Sequence, residues 1–330
     1  MTALSETRAA APPRLAGRLR AALPFVALAV IAVLPALLGG GSIVYSSCVV
    51  IAIFSVMAYG ADTILSYLGE VSLGHTVFWA AGGYAAAMLA TVHGWNGWMT
   101  ALAAMGIAVL LALLLGLVTL RTREFVFSLV TYAAAIVAYE IVYNWSLLGG
   151  SDGFVGIPPL GLPTPFGTYT GGTNEELWPV AFALLAVAGL FIHRFRRSRL
   201  GQRALMAQMN PDLAQSLGVD IRRVRLQVFV LSALPSALAG WLYAYQRAYV
   251  GPDMFEAYFL VLMLTAIILT GRRVLFGPVI GTAIIIVQQT FFSIGGDGDK
   301  IILGAVLATV LILWPSGLTG AARMLLRRLR

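Results

Sequence analysis

The feature that most constrains this chain is a series of unbroken apolar runs, each about 18 residues or longer, recurring along nearly all of its 330 residues. In hydrocarbon a backbone must satisfy its own N–H and C=O groups, which leaves helices or a closed barrel as spanning structures. The runs are continuous rather than alternating, and that excludes the barrel. Only 11% of residues are charged and 59% are hydrophobic, whereas soluble domains carry about 25% charged residues. The expected fold is all-α, a polytopic membrane helix bundle. About ten spans are placed near 22–38, 43–60, 72–92, 98–119, 125–145, 177–193, 226–247, 254–271, 277–294 and 300–316. The third and ninth begin at glycine-rich turns (Gly69 and Gly74; Gly271 and Gly277), which leaves room for partly re-entrant segments. Residues 1–20 read as a basic cytoplasmic tail, 21–320 as one transmembrane domain and 321–330 as a second basic tail.

Loop charge tests this count independently, because cytoplasmic loops collect Lys and Arg. With both termini cytoplasmic, one side collects the arginines at 8, 14, 18 and 20, Arg121, Arg123, eight arginines between 194 and 225, Arg272, Arg273 and those at 323, 327, 328 and 330. Only Arg247 and Lys300 fall elsewhere. A miscounted span would invert every later loop and scatter the pattern. The net charge of +8 is therefore read as membrane orientation, with the lipid bilayer as partner and no nucleic acid. The one long external loop, 146–176, is rich in Gly, Pro and Thr, which specifies turns rather than a domain. It is either connective or a docking face or gate.

Catalytic signatures are missing. Cys48 is the only cysteine, so neither an intramolecular disulfide nor a cysteine metal cluster can form. The single lysine, Lys300, lacks the glycine before it and the Ser or Thr after it that a P-loop requires. His75, His93 and His193 are far apart in sequence, and no HExxH or nucleophile elbow occurs. No catalytic or metal-binding residues, and no cofactor in this chain, are expected.

The long polar interruption at 194–225 is the segment the apolar runs do not explain. Asn210 can cap a helix, Pro211 suits its first position, Asp212 faces the positive end of the helix dipole, and Gly218 is a natural stop. The result is a helix of about two turns, too short to persist alone. It is either an ordinary capped turn or a surface gripped by a soluble partner.

Residues 203–245 resemble the cytoplasmic loop and following helix of branched-chain amino acid ABC transporter permeases. Asp212, Ala214 and Gly218 match that family's acidic residue, second small residue and glycine, while Leu213 replaces the first small residue. Further resemblances follow in family order: Gly69 to His75; Leu148 to Gly153 with Gly156-Ile157-Pro158; Pro252-Asp253 with Phe255; Gly277-Pro278 with Gly281; and Trp314 to Leu318. Together they cover roughly 45–320 and are nearest the M-type partner of the paired permeases. Asp62 stands where the family has asparagine, Ser66 where it has glycine, and Arg272-Arg273 where it favours a glycine-serine turn.

The resemblance implies a subunit of an importer in the bacterial inner membrane, paired with an H-type permease. Two P-loop ATPases would bind ATP and Mg, and an external solute-binding protein would deliver substrate. Asn210, Pro211, Asp212, Ala214 and Gly218 would form its ATPase-coupling helix. Branched-chain or related amino acids are the implied cargo, with urea, short amides and small aromatic acids left open. Glu140, the acid deepest in an apolar run, is a candidate for the translocation path; the family's glutamate falls one turn earlier, at Ile136. Ser72, His75, Thr131, Gln288 and Gln289 are further candidates, for which helix–helix hydrogen bonding is the competing role. The alternative of another class, a stand-alone ion-coupled transporter, would place charged groups near the midplane at discontinuous helices. This chain has few such groups. An intramembrane hydrolase is disfavoured by the missing motifs.

Overall fold

The structure, a computed structural model, describes residues 30–119, 122, 124–165, 167–291 and 297–313. The basic tails, Arg121, Arg123 and the 314–318 motif lie outside the described residues. After a helix over 30–37 (α1) come α2 (Ser42–Tyr67), α3 (His75–His93), α4 (Gly97–Thr119) and α5 (Glu124–Asn144). They are followed by α6 (Asn174–Arg197), α7 (Arg199–Met209), α8 (Pro211–Ser216), α9 (Ile221–Arg247), α10 (Ala257–Thr270), α11 (Gly277–Phe291) and α12 (Asp297–Leu313). The chain is an all-α polytopic membrane bundle. By length and apolar character, α2, α4, α5, α6 and α9 can each cross a bilayer. The expected spans 254–271 and 277–294 are shorter helices, α10 and α11, of 14 and 15 residues.

Burial follows from which helices surround a span and from side-chain size. Every residue of α2 from Ala52 to Tyr67 is buried, because other helices, α6, α9, α10 and α11 among them, pack around it. The helix continues past the expected end at 60, carrying Asp62, Thr63 and Ser66 inside the protein. In α4 the buried stripe is small (Thr100, Ala101, Ala104, Ala108, Ala112, Gly116), while Leu102, Leu110, Leu113, Leu114 and Leu117 face outward. Without water to drive leucines inward, small residues let helices approach and large ones meet lipid. The same logic sets the α3–α9 crossing, where a Cβ on Gly82 would strike the Ala237 carbonyl and one on Gly240 the Trp79 carbonyl. At the α2–α9 contact a Cβ on Gly60 would meet Ser236 and the Ser232 carbonyl.

The loops gather at two ends. Hydrogen bonds join 66–70, 122, 208, 225 and 273 at one end, so the described arginine-bearing connections come together there. We call this the basic end. At the far end, the segment read as turns is more ordered than expected. Residues Leu160–Thr164 (β2) and Gly167–Gly171 (β3) form an antiparallel hairpin. Phe154–Val155 (β1) pairs with Tyr249–Val250 (β4), tying the loop to the end of α9. Leu160 and Leu162 bury alternate positions of β2 over the start of α4, and the Trp98 indole donates to the Pro163 carbonyl at 3.1 Å. Thr173 and Glu176 close a capping box on α6.

The expected third span is helical only from His75. Segment 69–74 enters the bundle as irregular backbone, which a membrane tolerates only where protein satisfies it. Serine and threonine of α5 do so: Ser128 Oγ donates to the Val71 carbonyl at 2.7 Å, and Thr131 Oγ1 accepts from Leu73 N–H at 3.1 Å. His75 then reaches Ser232, eleven residues into α9 and so roughly 16 Å along it at the α-helical rise.

Candidate functional site

The basic-end insert folds as two helices, not one. Ser198 Oγ accepts from Gly201 N–H at 3.0 Å and starts α7, whose Gly201, Ala204 and Ala207 are buried. That small-residue stripe at helical spacing was present in the sequence as a signal. Asn210 Oδ1 then accepts from Leu213 N–H at 3.0 Å, with Pro211 at the first helical position of α8. Ala214 is buried, and its carbonyl accepts from Val219 N–H at 2.9 Å. Gly218 has φ +80° and open space around its Cβ position, so backbone conformation alone demands glycine there. Asp212 is exposed.

The surface of this unit is apolar where solvent would predict polar. Met209, Leu213 and Leu217 are 77%, 56% and 67% exposed, on a short segment that otherwise carries Gln, Ser and Asp. A cluster of large exposed apolar residues at a polar end marks a contact surface.

Two polar ties hold the basic end together, and the first of them reaches this unit. Arg273, in the α10–α11 turn at φ +63°, donates through its backbone N–H to Ser66 Oγ and through Nε to the Ser66 carbonyl at 3.0 and 2.9 Å. Its Nη2 reaches Gln208 Oε1 on α7 at 2.8 Å, and Ser66 Oγ donates to Asp62 Oδ1 at 2.6 Å. Three of the positions that depart from the family pattern, Asp62, Ser66 and Arg273, are thus linked through Ser66. In the second tie Arg225, four residues into α9, forms a buried ion pair with Glu70 and also donates to the Thr122 carbonyl at 2.8 Å. It joins the start of α9 to the 69–74 segment and to the α4–α5 connection. Between the ties lies a cleft of about 310 Å³ lined by Gly69, Glu70, Gln208, Pro211, Arg225 and Arg272 among others. Glu70 and Arg225 were legible only as a motif residue and as one of many loop arginines, because an ion pair 155 residues apart leaves no local signature.

Of the path candidates, the structure brings Ser72, His75 and Thr131 together around the irregular segment. Thr131 is buried and also donates to the Ser128 carbonyl at 2.9 Å. His75 is wholly enclosed, its Nε2 3.2 Å from Ser232 Oγ and its ring edge-on to Phe78 and Phe229. Ser72 is buried with its hydroxyl unpartnered. Gln288 is half-buried on α11, and the neighbouring Gln289 Oε1 accepts from Tyr258 at 2.9 Å. Glu140 lies apart on the outer face of α5, at the spacing that aligns it with the exposed Tyr132, Ile136 and Tyr143. Its Oε2 accepts from Asn144 Nδ2 at 3.2 Å. If that face carries solute, Glu140→Gln reduces uptake tenfold or more with protein level unchanged (a transition-state loss of about 1.4 kcal/mol or more). Radiolabelled uptake in membrane vesicles reads this, and normal uptake removes Glu140 from the path.

Fold and site together define a multi-pass membrane protein that presents a small apolar helix unit on its basic end and wires it into the bundle. The family model described as branched-chain amino acid transport system, permease component, matches residues 43–313, and the chain belongs to that family. It is 27% identical over 295 residues to the high-affinity branched-chain amino acid transport system permease protein LivM of Escherichia coli, covering 82% of this chain and 68% of the relative. The Salmonella typhimurium LivM is 26% identical over 323 residues, covering 90% and 75%. A probable branched-chain amino acid transport permease protein LivH of Methanocaldococcus jannaschii is 27% identical over 155 residues, covering 44% and 48%. No solved structure matches the chain.

Proposed function

We propose that this permease component is one membrane half of an ATP-driven importer for branched-chain or related amino acids, paired with a second, H-type permease. The observation that carries the reading is the exposed Met209, Leu213 and Leu217 set on α7, α8 and the residue after it, on a unit that Arg273 ties to α2. We assign that set to a groove of a P-loop ATPase subunit on the cytoplasmic side, where the clustered arginines orient the basic end. ATP and Mg belong to that partner. Closure of two such ATPases would move α7 and α8. Arg273 would pass the motion to α2, and Arg225 would pass it to the 69–74 segment and α5. The ordered far-end hairpin is suited to receive an external solute-binding protein. Chemistry lies elsewhere; this chain supplies a switchable wall.

The test is co-purification of the chain from its native membrane in mild detergent, with every stoichiometric partner identified by mass spectrometry. A P-loop ATPase and a second permease are expected. Leu213→Asp with Leu217→Asp is expected to release the ATPase while retaining the permease, since each buried leucine contributes about 1.5–3 kcal/mol. Gly218→Val, which forces a β-branched residue to positive φ, and Asp212→Arg are each expected to leave ATP hydrolysis running while uptake falls. Wild-type ATPase retention and uptake in all these variants would overturn the coupling role.

A further inference from the structure

At the basic end, residues of α6, α7 and α9 line a cleft of about 700 Å³, among them Phe191, Arg194, Phe195 and Arg197 of α6, Leu200 of α7 and Leu231 of α9. The α6 helix is 24 residues long, about 36 Å at the helical rise, against a hydrocarbon core of about 30 Å. Its last turn, which carries Arg194, Arg196 and Arg197, therefore stands at headgroup level. Helix geometry divides the three arginines. Arg194 and Arg197 are three residues apart and share a face, whereas Arg196 is about 160° around the helix from Arg194. Arg196 lies within electrostatic reach of Asp62 and Tyr67.

The apolar part of the lining is held in place. Phe195 is buried, edge-on to Tyr67 at 4.9 Å and stacked with Phe191 at 6.3 Å. Phe191, Leu200 and Leu231 are half-buried, while Arg194 and Arg197 are exposed. Two cations thus share one cleft with four apolar side chains, and nothing of opposite sign answers them. No Asp or Glu occurs from 177 to 211. Neither arginine forms an ion pair among the described residues. Arg223, Arg225 and Arg273 of the same end are each held by protein groups. The α7 helix starts two residues after Arg197 with no acid in its first turn, so the positive end of its dipole adds to the same field.

An arginine that only orients a span can end in water. A pair set in a cleft with apolar walls at headgroup depth matches an amphiphile with an anionic head, and basic pockets between spanning helices bind such head groups. A free anion would gain nothing from Phe191, Leu200 and Leu231, and a zwitterionic lipid brings a cation of its own. We propose that this cleft binds an anionic phospholipid of the basic-end leaflet, with Arg194 and Arg197 holding its phosphate and the first methylenes of its chains lying on Phe191, Leu200 and Leu231. The lipid would join the end of α6 to α9. The site depends on the chain's spanning a membrane and not on the ATPase contact, which uses other residues.

The full-length protein is placed in phosphatidylcholine nanodiscs containing a minor fraction of phosphatidylglycerol with a diazirine near its glycerol end, irradiated, and its labelled peptides mapped. Label is expected within 191–200 and around Leu231. Arg194→Gln with Arg197→Gln should lower that label about tenfold or more. Arg199→Gln with Arg203→Gln removes the same charge from α7 outside the cleft lining and should leave the label within about twofold. Leu231→Trp, which fills the cleft from α9 and keeps both arginines, should also lower it strongly. Unchanged size-exclusion profiles report that the variants are folded. Diazirine-bearing phosphatidylcholine should label the segment weakly. No label there in the wild type, equal loss in both arginine double variants, or equal labelling by phosphatidylcholine overturns the site. Loss of label on adding inorganic phosphate would show a free-anion site, and loss on restoring the co-purified partners would show a protein carboxylate in the cleft; either overturns the lipid assignment.

Discussion

Gly240→Val will fail to give a monodisperse, folded chain, whereas Gly106→Val will be indistinguishable from wild type. Both glycines lie in apolar helices, and sequence alone treats them alike. Around Gly106 an added Cβ meets nothing within 4 Å. At Gly240 the same atom would run into the Trp79 carbonyl, with the carbonyl carbon at 2.8 Å and Gly83 N at 3.2 Å. The obstacle is backbone, which cannot turn aside as a side chain can. Overpacking of an interior ordinarily costs about 1–3 kcal/mol, and a backbone clash lies at or beyond the top of that range. Separating α3 from α9 also opens the ring cluster in which Trp79 sits 4.8 Å from Tyr243 and 5.5 Å from Phe54. Nor can Gly82 yield, since its own close approach to Ala237 belongs to the same seam. Size-exclusion profiles and thermal melts of both variants in one detergent provide the comparison. A normal Gly240→Val melt would mean that the α3–α9 seam is looser than the packing shows.

How far the sequence foretold this architecture depends on the range of the interaction. Apolar runs, caps and charged loops are local, so α4, α5, α9, the Asn210 cap and the gathering of arginines at one end were all legible. The 194–225 segment was recognised as a capped unit, but α7 was missed because its Gly201, Ala204 and Ala207 stripe is short and set among arginines. The far-end hairpin was missed for a related reason. Its β2 strand, Leu160–Thr164, carries glycine and proline that read as turn residues, and only the burial of Leu160 and Leu162 on α4 makes it a strand. Tertiary packing overrode local propensity there. The irregular entry at 69–74 depends on Ser128 and Thr131, which are some 57 and 58 residues away in sequence from their partners. Its glycines could announce a break, but only the fold could show the break buried and satisfied. In the sequence Asp62, Ser66 and Arg273 are separate departures from a family pattern. Their contact explains why they occur together, since an arginine at positive φ in the α10–α11 turn is held by the serine hydroxyl and carbonyl beside it.

The Glu70–Arg225 pair yields the other large effect, and its outcome separates stability from transport. Both side chains are under a tenth exposed, so deleting one leaves a buried charge without its counterion. Breaking such a pair costs about 3–5 kcal/mol, while replacing both members with apolar residues of similar volume is often neutral or better. Glu70→Ala is therefore expected to lower the melting temperature strongly. Arg225→Met should do the same, because the Glu70 carboxylate would then be left buried alone. The double variant Glu70→Leu with Arg225→Met should recover most of the lost stability, a non-additivity that reports direct coupling. Uptake should not recover with it. The guanidinium also holds the Thr122 carbonyl, so the apolar pair cannot restore the three-way tie among α9, the 69–74 segment and the α4–α5 connection. A stable but transport-dead double variant would assign the pair to transmission of motion, and a stable, active one would reduce it to a packing element.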